Sequence, residues 1–248
     1  QTNVRNVIFP KEVDIYIPSK KLAIECNGIF WHSNKPSNYH SSKFNYCQER
    51  SIQLLTIWED WIKNKPNIIK SVILSKLGIY KERIYARNCT VKEINSNLCN
   101  SFLDNNHIQG KSPSSIKFGL FYNNELISVM TFGKSRLGVG KNNNGYELIR
   151  FCNKQNTQVI GGASKLFKRF LKRYNPDKVY SYSSNDISNG GLYKQLDFKT
   201  NNKINQSYWY INKTTYERFH RFNFRKQKLK EADNQLPLKP CGLQRRGR

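Results

Sequence analysis

The sequence predicts an α/β protein of the mixed α+β kind, with two units followed by a basic C-terminal helix and tail. Three observations support this prediction. Short apolar strands alternate with amphipathic helices along most of the chain. The 248 residues are 38% hydrophobic, which is enough for two cores. The apolar pattern weakens at the C-terminal end, so we predict domains at 1–82 and 83–212 and a tail at 213–248.

The first domain is predicted to be a small α/β unit. Alternating apolar residues predict a β-hairpin over 13–26, and an apolar run predicts a buried strand over 52–58. A helix between these strands indicates a crossover connection. Pro66 begins a second helix, which Gly78 ends. The full predicted set is strands at 4–9, 13–17, 22–26 and 52–58, a loop at 33–38, and helices at 39–50 and 66–77.

The second domain is predicted to mix strands and helices around a longer meander. Asn123–Asn124 is a two-residue hairpin turn between two apolar strands. Gly161–Gly162 precedes a helix with Leu and Phe on one face. The predicted elements are helices at 91–105, 163–174 and 192–196 and strands at 116–122, 125–132, 146–151, 179–183 and 208–211. A basic aromatic helix is predicted after residue 214, followed by a loosely ordered end.

The charge of the chain indicates a polyanionic partner. The sequence has 42 Lys and Arg against 17 Asp and Glu, a net charge of +25, so double-stranded DNA is the expected partner. Residues 1–85 contribute the smallest excess, as expected if carboxylates there hold a metal ion. No segment approaches the roughly 18 apolar residues of a membrane span and no secretory signal is evident, so we expect an intracellular location, in cytoplasm or nucleoid. The six cysteines lack metal-ligand spacing and are expected to be free thiols.

The hairpin at 13–26 carries the candidate metal site. Asp14 and Glu25 lie on neighbouring predicted strands whose other residues are apolar, where burying charge without a partner costs several kcal/mol. Oxygen ligands of this kind hold Mg²⁺ or Mn²⁺, and the carbonyl of Cys26 is a candidate third ligand. The alternative is that both carboxylates pair with Lys20 and Lys21 and serve only structure.

Polar residues beyond the hairpin are candidates for the chemistry itself. His32 is a candidate general base or water-orienting group, although a histidine after Phe30–Trp31 is also typical of packing or capping. His40 and Lys43 share one face of the following helix and are placed to contact a phosphate or assist proton transfer. Asp60 is interpreted as a helix cap, while Glu59 is left open between ligand and cap.

The pattern DIYIP, LAIECNGIFWH, YHSSK and IQLLTIWEDW resembles phage and mobile-element homing endonucleases related to the very-short-patch repair nuclease. The resemblance covers about residues 8–78 and implies a restriction-endonuclease-like PD-(D/E)XK core. It implies that Asp14 is the central metal ligand, that His32 is the catalytic histidine, and that Glu25 and Asn27 occupy the Glu-x-Lys positions. Asn27 replaces the usual lysine, so proton handling passes to His32, His40 or Lys43.

The family usually has an acidic residue on a helix upstream of the first strand. This sequence begins too late to include it, so we expect residues 1–248 to behave as a fragment of reduced activity.

The second domain resembles the GNAT acetyltransferase fold in two motifs. Gln158-Val-Ile-Gly161-Gly162-Ala163 matches the Gln-x-x-Gly-x-Ala pyrophosphate loop, and residues 192–198 match a Leu-Tyr-x-x-x-Gly-Phe segment with Asp197 in place of glycine. Fold does not fix function. Basic residues favour DNA binding, although the phosphates of CoA would also attract them, and acetyl-CoA is expected to be an unlikely cofactor; the helix candidates are Lys165, Lys168, Arg169, Lys172 and Arg173, with His107 and Arg136 outside it.

Together these features predict a Mg²⁺-dependent homing-type DNA endonuclease that hydrolyses phosphodiesters. In this hypothesis the first domain cuts and the second positions the DNA. The alternative is a GNAT-like group transferase that acts on nucleic acid or protein and uses its first domain for targeting. A solvated helix face remains the structural interpretation of the basic residues on helix 163–174.

Overall fold

A computed structural model describes residues 1–32, 39–134, 144–200, 209–212, 214–220, 224 and 238–240. The protein has a mixed α+β fold with several sheets, which confirms the predicted class at that level. Contacts between Cα atoms divide it into two compact units. Unit 1 comprises Gln1–Asn64, Asn185–Ile187 and Asn201–Arg248, and unit 2 comprises Lys65–Ser184 and Ser188–Thr200.

Unit 1 begins with a four-stranded sheet whose order follows the chain. Its strands are β1 (Thr2–Ile8), β2 (Lys11–Ile17), β3 (Leu22–Asn27) and β4 (Gln53–Trp58). The first three are antiparallel neighbours, whereas β4 is parallel to β3. The helices of this region are α1 (Ile29–His32), α2 (Tyr39–Glu49) and α3 (Glu59–Asn64).

Local sequence explains this sheet. The 13–26 hairpin is confirmed, and Lys21 turns the chain in the left-handed region at φ 45° after a 3₁₀ turn at Pro18–Lys20. Two parallel strands need a crossover, and α2 lies within the connection between β3 and β4. Val13 and Cys47 are both fully buried in the same apolar cluster, so β2 and α2 share this core.

Unit 2 contains two sheets and four helices among the described residues. Its elements, in chain order, are α4 (Pro66–Leu77), β5 (Glu82–Tyr85), β6 (Thr90–Glu93), α5 (Ser96–Asn106), β7 (Ile116–Tyr122), β8 (Glu125–Lys134), β9 (Gly145–Asn153), β10 (Thr157–Ile160), α6 (Gly162–Tyr174), β11 (Lys178–Ser181) and α7 (Gly191–Gln195). The larger sheet has the order β11-β9-β8-β7-β6, with β11 parallel to β9. The smaller sheet is a two-stranded parallel ribbon of β5 and β10.

The hairpin of β7 and β8 turns through Asn123 and Asn124 at φ 47° and 63°, as the sequence predicts. The helix predicted over 91–105 is wrong at its start, because residues 90–93 form a strand against β7. The side chain of Asn95 accepts a hydrogen bond from the backbone N–H of Leu98 and caps α5 one turn later. Here pairing with a long apolar strand overrides local helical pattern.

The C-terminal part of unit 1 contains a second small sheet. Its described strands are β12 (Trp209–Asn212), β13 (Arg218–His220) and β14 (Leu238–Pro240), with β12 in the centre. The basic helix predicted after residue 214 is therefore wrong at 218–220, which pair with β12 instead. Residues 238–240, expected in a loosely ordered end, form a strand. The aromatic and basic pattern at 218–220 does not encode the pairing with β12, and residues 238–240 pair with β12 from 26 to 30 positions away.

The boundaries of the two units differ from the predicted domain ranges 1–82, 83–212 and 213–248. Helix α4 falls in unit 2, where the backbone N–H of Asn156 donates to the Ser71 hydroxyl at 2.8 Å. Strand β12 falls in unit 1 rather than in the second domain. The short segment 185–187 also belongs to unit 1, since the backbone N–H of Thr56 donates to the carbonyl of Asp186 at 2.7 Å.

The helices of the described ranges are all short. The longest described helix, α6, has 13 residues. Of the helices in the described ranges, none is long and apolar enough to cross a membrane.

Candidate active site

The two predicted carboxylates lie on adjacent antiparallel strands. The ladder between β2 and β3 ends at the pair Ile15–Ile24. Beyond that pair, the Asp14 carboxylate takes the place of a backbone acceptor: its Oδ2 accepts a hydrogen bond from the backbone N–H of Cys26 at 2.7 Å. Asp14 is thereby fixed beside the residue that follows Glu25.

Glu25 and Lys43 form a buried ion pair at the centre of this region. The Lys43 ammonium donates to Oε1 of Glu25, and the two side chains are 4% and 8% exposed. Helix α2 supplies the lysine, and strand β3 supplies the glutamate, opposite Thr56 of β4. Lys43 was predicted to support a phosphate; its pairing with Glu25 brings it into the carboxylate site.

The charges in this site act on one another. Burial raises the pKa of Glu25; the Lys43 ammonium opposes this rise, and the Asp14 charge adds to it. Burial also raises the pKa of the Cys26 thiol, and the charges of Asp14 and Glu25 raise it further. The negative charge of Asp14 thus acts on both Glu25 and Cys26, and a bound cation would offset it.

One oxygen acceptor in this site has no hydrogen-bond partner among the described residues. Oε2 of Glu25 is buried and accepts no hydrogen bond, although a buried carboxylate oxygen normally has a partner. A divalent cation bound by oxygen would satisfy it, so the residues fit a metal of the Mg²⁺ class. No group of three or more His, Cys, Asp or Glu side chains that could hold a metal occurs in the described part of the chain. The backbone carbonyl of Cys26 stays the predicted third oxygen.

The remaining predicted catalytic residues lie just beyond the strands. Asn27 is 1% exposed and ends β3. His32 is the last residue of α1, and His40 lies in the first turn of α2. The side chains of both histidines, and the predicted loop 33–38, lie outside the described residues, so their roles stay predictions.

The predicted pairing of both carboxylates with Lys20 and Lys21 is not what the molecule shows. Glu25 pairs with Lys43, and Asp14 accepts from the backbone of Cys26, so neither depends on Lys20 or Lys21 for a partner.

The acidic residues after β4 have structural contacts. Oε2 of Glu59 accepts from the backbone N–H of Ile29 at 3.1 Å. Asp60, interpreted as a helix cap, instead forms a two-point ion pair with Arg218, with Nη2 to Oδ1 at 2.6 Å and Nε to Oδ2 at 2.9 Å. The Arg218 guanidinium also lies 4.3 to 5.4 Å from the rings of three tryptophans: Trp58, Trp61 and Trp209. These contacts join the C-terminal strands to the end of β4.

One residue near the site was missed by the sequence analysis. Lys11 of β2 donates to the Ser42 hydroxyl of α2, and burial together with the Lys43 charge lowers its pKa. Strand alternation in the sequence could have indicated that Lys11 points towards the core, because it puts Lys11 on the same face as the fully buried Val13. The site thus includes two lysines: Lys43, which lies on α2, and Lys11, which donates to Ser42 of α2.

The basic residues predicted to bind DNA are not equivalent in unit 2. The Lys165 ammonium donates to the carbonyls of Ala86 and Cys89 at 2.8 and 2.5 Å, which accounts for it within the fold. Arg173 pairs with Glu93 at 2.6 Å. Lys168, Arg169 and Lys172 are exposed on α6, consistent with either DNA contact or a solvated face. Arg136 lies outside the described residues.

His107 lies in a turn after α5 and is half-buried. Its Nδ1 accepts from the backbone N–H of Gln109 at 3.1 Å. Burial lowers its pKa to about 3, and the charges of Arg150 and Lys65 contribute. His107 is therefore neutral at physiological pH, so its predicted contact with DNA would have to be made by an uncharged ring.

The predicted cofactor loop has the backbone shape of a helix entry. Gln158 lies on β10, Gly161 adopts φ 76°, and α6 begins at Gly162 with Ala163 buried behind it. A Cβ on Gly162 would meet the Val159 side chain at 2.8 Å, so the glycine is needed for close packing of strand and helix. Close packing explains Gly162, and the left-handed backbone explains Gly161.

Comparisons with known proteins assign no family. No family model matches the sequence, and no curated protein matches it. Among solved structures, an acetyltransferase of the GNAT family from Streptococcus pneumoniae matches at 13% identity, over 45% of this chain and 87% of that one, with a TM-score of 0.35. A likeness that weak carries no conclusion about fold or activity.

Proposed function

We propose that unit 1 is a metal-dependent nuclease that hydrolyses phosphodiesters in double-stranded DNA, of the homing-endonuclease type. The observation that carries the proposal is the buried Oε2 of Glu25, which has no partner among the described residues and lies in the field of the Asp14 carboxylate. The net charge of +25 supports a polyanionic substrate.

Asp14, Glu25 and the Cys26 carbonyl would hold the ion. When bound, Mg²⁺ or Mn²⁺ supplies charge stabilisation at a phosphate and lowers the pKa of a bound water. The chain's own contribution is positional. The hydrogen bond from the Cys26 backbone orients Asp14, and the Lys43 ammonium holds one oxygen of Glu25, which would leave the other for the ion.

Lys43 is proposed to supply the positive charge that the resemblance assigns to the position of Asn27. The lysine reaches the same glutamate from helix α2 instead of from β3. An ammonium at this place stabilises negative charge on a phosphate oxygen, and proton transfer to or from water falls to His32 or His40.

The test compares cleavage of plasmid DNA in Mg²⁺ by the wild type, Asp14→Asn and Glu12→Gln. Glu12 is the matched control, because it is an exposed carboxylate on the same strand that pairs with Arg5. We expect Asp14→Asn to lower the cleavage rate by about 100-fold or more, and Glu12→Gln to leave it unchanged. Equal rates in Asp14→Asn and the wild type would remove the proposed site.

A second readout does not depend on cleavage. Mg²⁺ or Mn²⁺ should raise the unfolding temperature of the wild type and of Glu12→Gln, because a ligand that binds the folded state stabilises it. Asp14→Asn should lose this effect. An identical metal-dependent shift in all three proteins would contradict metal binding at Asp14, whether or not the chain cleaves DNA.

A group transferase is the second candidate, and the helix entry at Gly161 favours it, since backbone N–H groups at the start of α6 are a ready anion site. Calorimetric titration with acetyl-CoA separates it from the first proposal. Binding would support a transferase in unit 2, and absence of heat would end that candidate.

A further inference from the structure

The two-stranded ribbon of unit 2 has one buried and one exposed face. Ile84 of β5 and its partner Val159 of β10 are 4% and 7% exposed and belong to the core. Strand alternation turns the neighbouring residues the other way. Tyr85 pairs with Ile160, and these side chains are 48% and 38% exposed. The ribbon thus exposes one paired aromatic and apolar side chain, Tyr85 and Ile160, to solvent.

Cations accompany the aromatic rings on this surface. The Arg87 guanidinium lies 4.9 Å from the centroid of the Tyr85 ring, and the Arg83 guanidinium lies 5.5 Å from that of Tyr80. Lys81, Arg83 and Arg87 are all exposed, and Glu82 is the one acid between Tyr80 and Asn88. Aromatic rings and basic groups thus alternate along one strand and its flanks.

Hydrogen bonds from Lys165 and Cys89 hold the turn that carries Arg87 in place. Lys165 of α6 donates to the carbonyls of Ala86 and Cys89, at either end of the 3₁₀ turn Ala86–Asn88. The Cys89 thiol donates to the Tyr85 carbonyl at 3.4 Å. Lys165, predicted to touch DNA, instead fixes the backbone of the residues that present Arg87. A pre-ordered surface loses little entropy on binding.

We propose that Tyr80, Arg83, Tyr85 and Arg87 form a binding surface for single-stranded nucleic acid, which we call the ribbon surface. Unpaired bases stack on the tyrosine faces, and the guanidinium groups neutralise the adjoining phosphates. A duplex offers its bases only at the edges, so stacking on exposed rings selects an unpaired strand. The proposal rests on the proposed function in taking DNA as the polymer.

The test measures binding of a fluorescent 20-nucleotide oligo(dT) to the full chain by anisotropy, in EDTA so that no cleavage occurs. We expect Tyr85→Ala to raise the Kd about tenfold, since loss of one stacked base costs about 1 to 3 kcal/mol. Tyr85→Phe should bind like the wild type, because it keeps the ring. Arg83→Ala with Arg87→Ala should reduce the slope of log K against log salt by about 1.4, at about 0.7 for each phosphate.

Matched controls come from the same unit. Tyr182 is 57% exposed and Lys178 is exposed on β11, so Tyr182→Ala and Lys178→Ala remove an equivalent ring and charge away from the ribbon. Both should leave the Kd unchanged. Circular dichroism should match the wild type for every variant, because the altered side chains are at the surface.

Two outcomes would overturn the proposal: an unchanged Kd in Tyr85→Ala, or an equal loss of affinity for a duplex of the same length. Failure here is separable from failure of the nuclease proposal, since Asp14→Asn should bind oligo(dT) normally. A chain that binds through the ribbon surface but does not cleave plasmid would retain this inference and lose the other.

Discussion

The two units bury different chemistry. In unit 1 the described residues with buried polar side chains include a glutamate, a lysine and an asparagine: Glu25, Lys43 and Asn27. In unit 2 the described polar residues that are buried as whole residues carry hydroxyls: Ser128, Thr131 and Thr157. The core of unit 2 is instead a stack of rings, with Phe132 and Phe170 parallel at 3.7 Å between centroids.

The core of unit 2 thus consists mainly of apolar packing, whereas unit 1 also buries charged groups. A buried ion pair rarely stabilises a fold more than an apolar pair of the same size would. The Glu25–Lys43 pair is thus consistent with the proposed site, which needs charge. The ring stack of unit 2 requires no such explanation, because apolar burial is what drives folding.

The largest expected effect comes from the ring stack. Phe170→Ala should lower the free energy of unfolding by about 4 kcal/mol, because it removes a fully buried ring and leaves a cavity. Chemical denaturation measures the loss. The neighbouring Leu171→Ala is the control: its side chain is 37% exposed, and its loss should be much smaller. Equal losses would show that the stack is not the centre of the unit 2 core.

The ion pair should respond in a different way. Lys43→Met should cost about 3 kcal/mol, because Glu25 is left buried without its cation. The double variant Glu25→Gln with Lys43→Met should recover most of that loss, since no charge remains buried. Denaturation of the three proteins gives the interaction energy. If the double variant lost as much as the sum of the single variants, the comparison between the units would fail.

The smallest effect is a difference in pH dependence. The folded pKa of Glu25 is raised above 4.5, so ionising it opposes folding and stability falls as pH rises from about 4.5 through the folded value. The folded pKa of His107 is about 3, below its ordinary 6.5, so stability falls as pH drops from 6.5 towards 3.

Each slope reaches at most about 1.4 kcal/mol per pH unit. Stability curves of Glu25→Gln and His107→Asn, each subtracted from the wild type, separate the two contributions. Slopes of the same sign would contradict the assignment of one titration to each unit.

Local chemistry predicted much of the fold. The hairpin of β2 and β3, the helix between Pro66 and Gly78 and the Asn123–Asn124 turn follow from alternation, caps and left-handed turn residues. Pairing between distant segments was beyond reach. Residues 82–85 form a strand only because residues 157–160 lie beside them, and no local pattern in either segment encodes the partner.

The candidate site could likewise be predicted from the sequence only in part. Asp14, Glu25 and Lys43 were named from the sequence, but the direct pairing of Glu25 with Lys43 depends on how α2 packs over the sheet. Lys165 was predicted to contact DNA, but its ammonium donates to the carbonyls of Ala86 and Cys89. These acceptors lie about 80 positions away in the sequence, so the basic pattern of the helix does not indicate them.

The Arg218–Asp60 contact has a consequence for synthesis of the chain. Asp60 leaves the ribosome 158 residues before its partner, which at about 5 to 20 residues per second means a delay of about 8 to 30 s. During that interval all of unit 2, Lys65–Ser184 and Ser188–Thr200, is translated, while Trp58 and Trp61 lack the Arg218 guanidinium. The contacts at the end of β4 are therefore completed only after the whole of unit 2 has been translated.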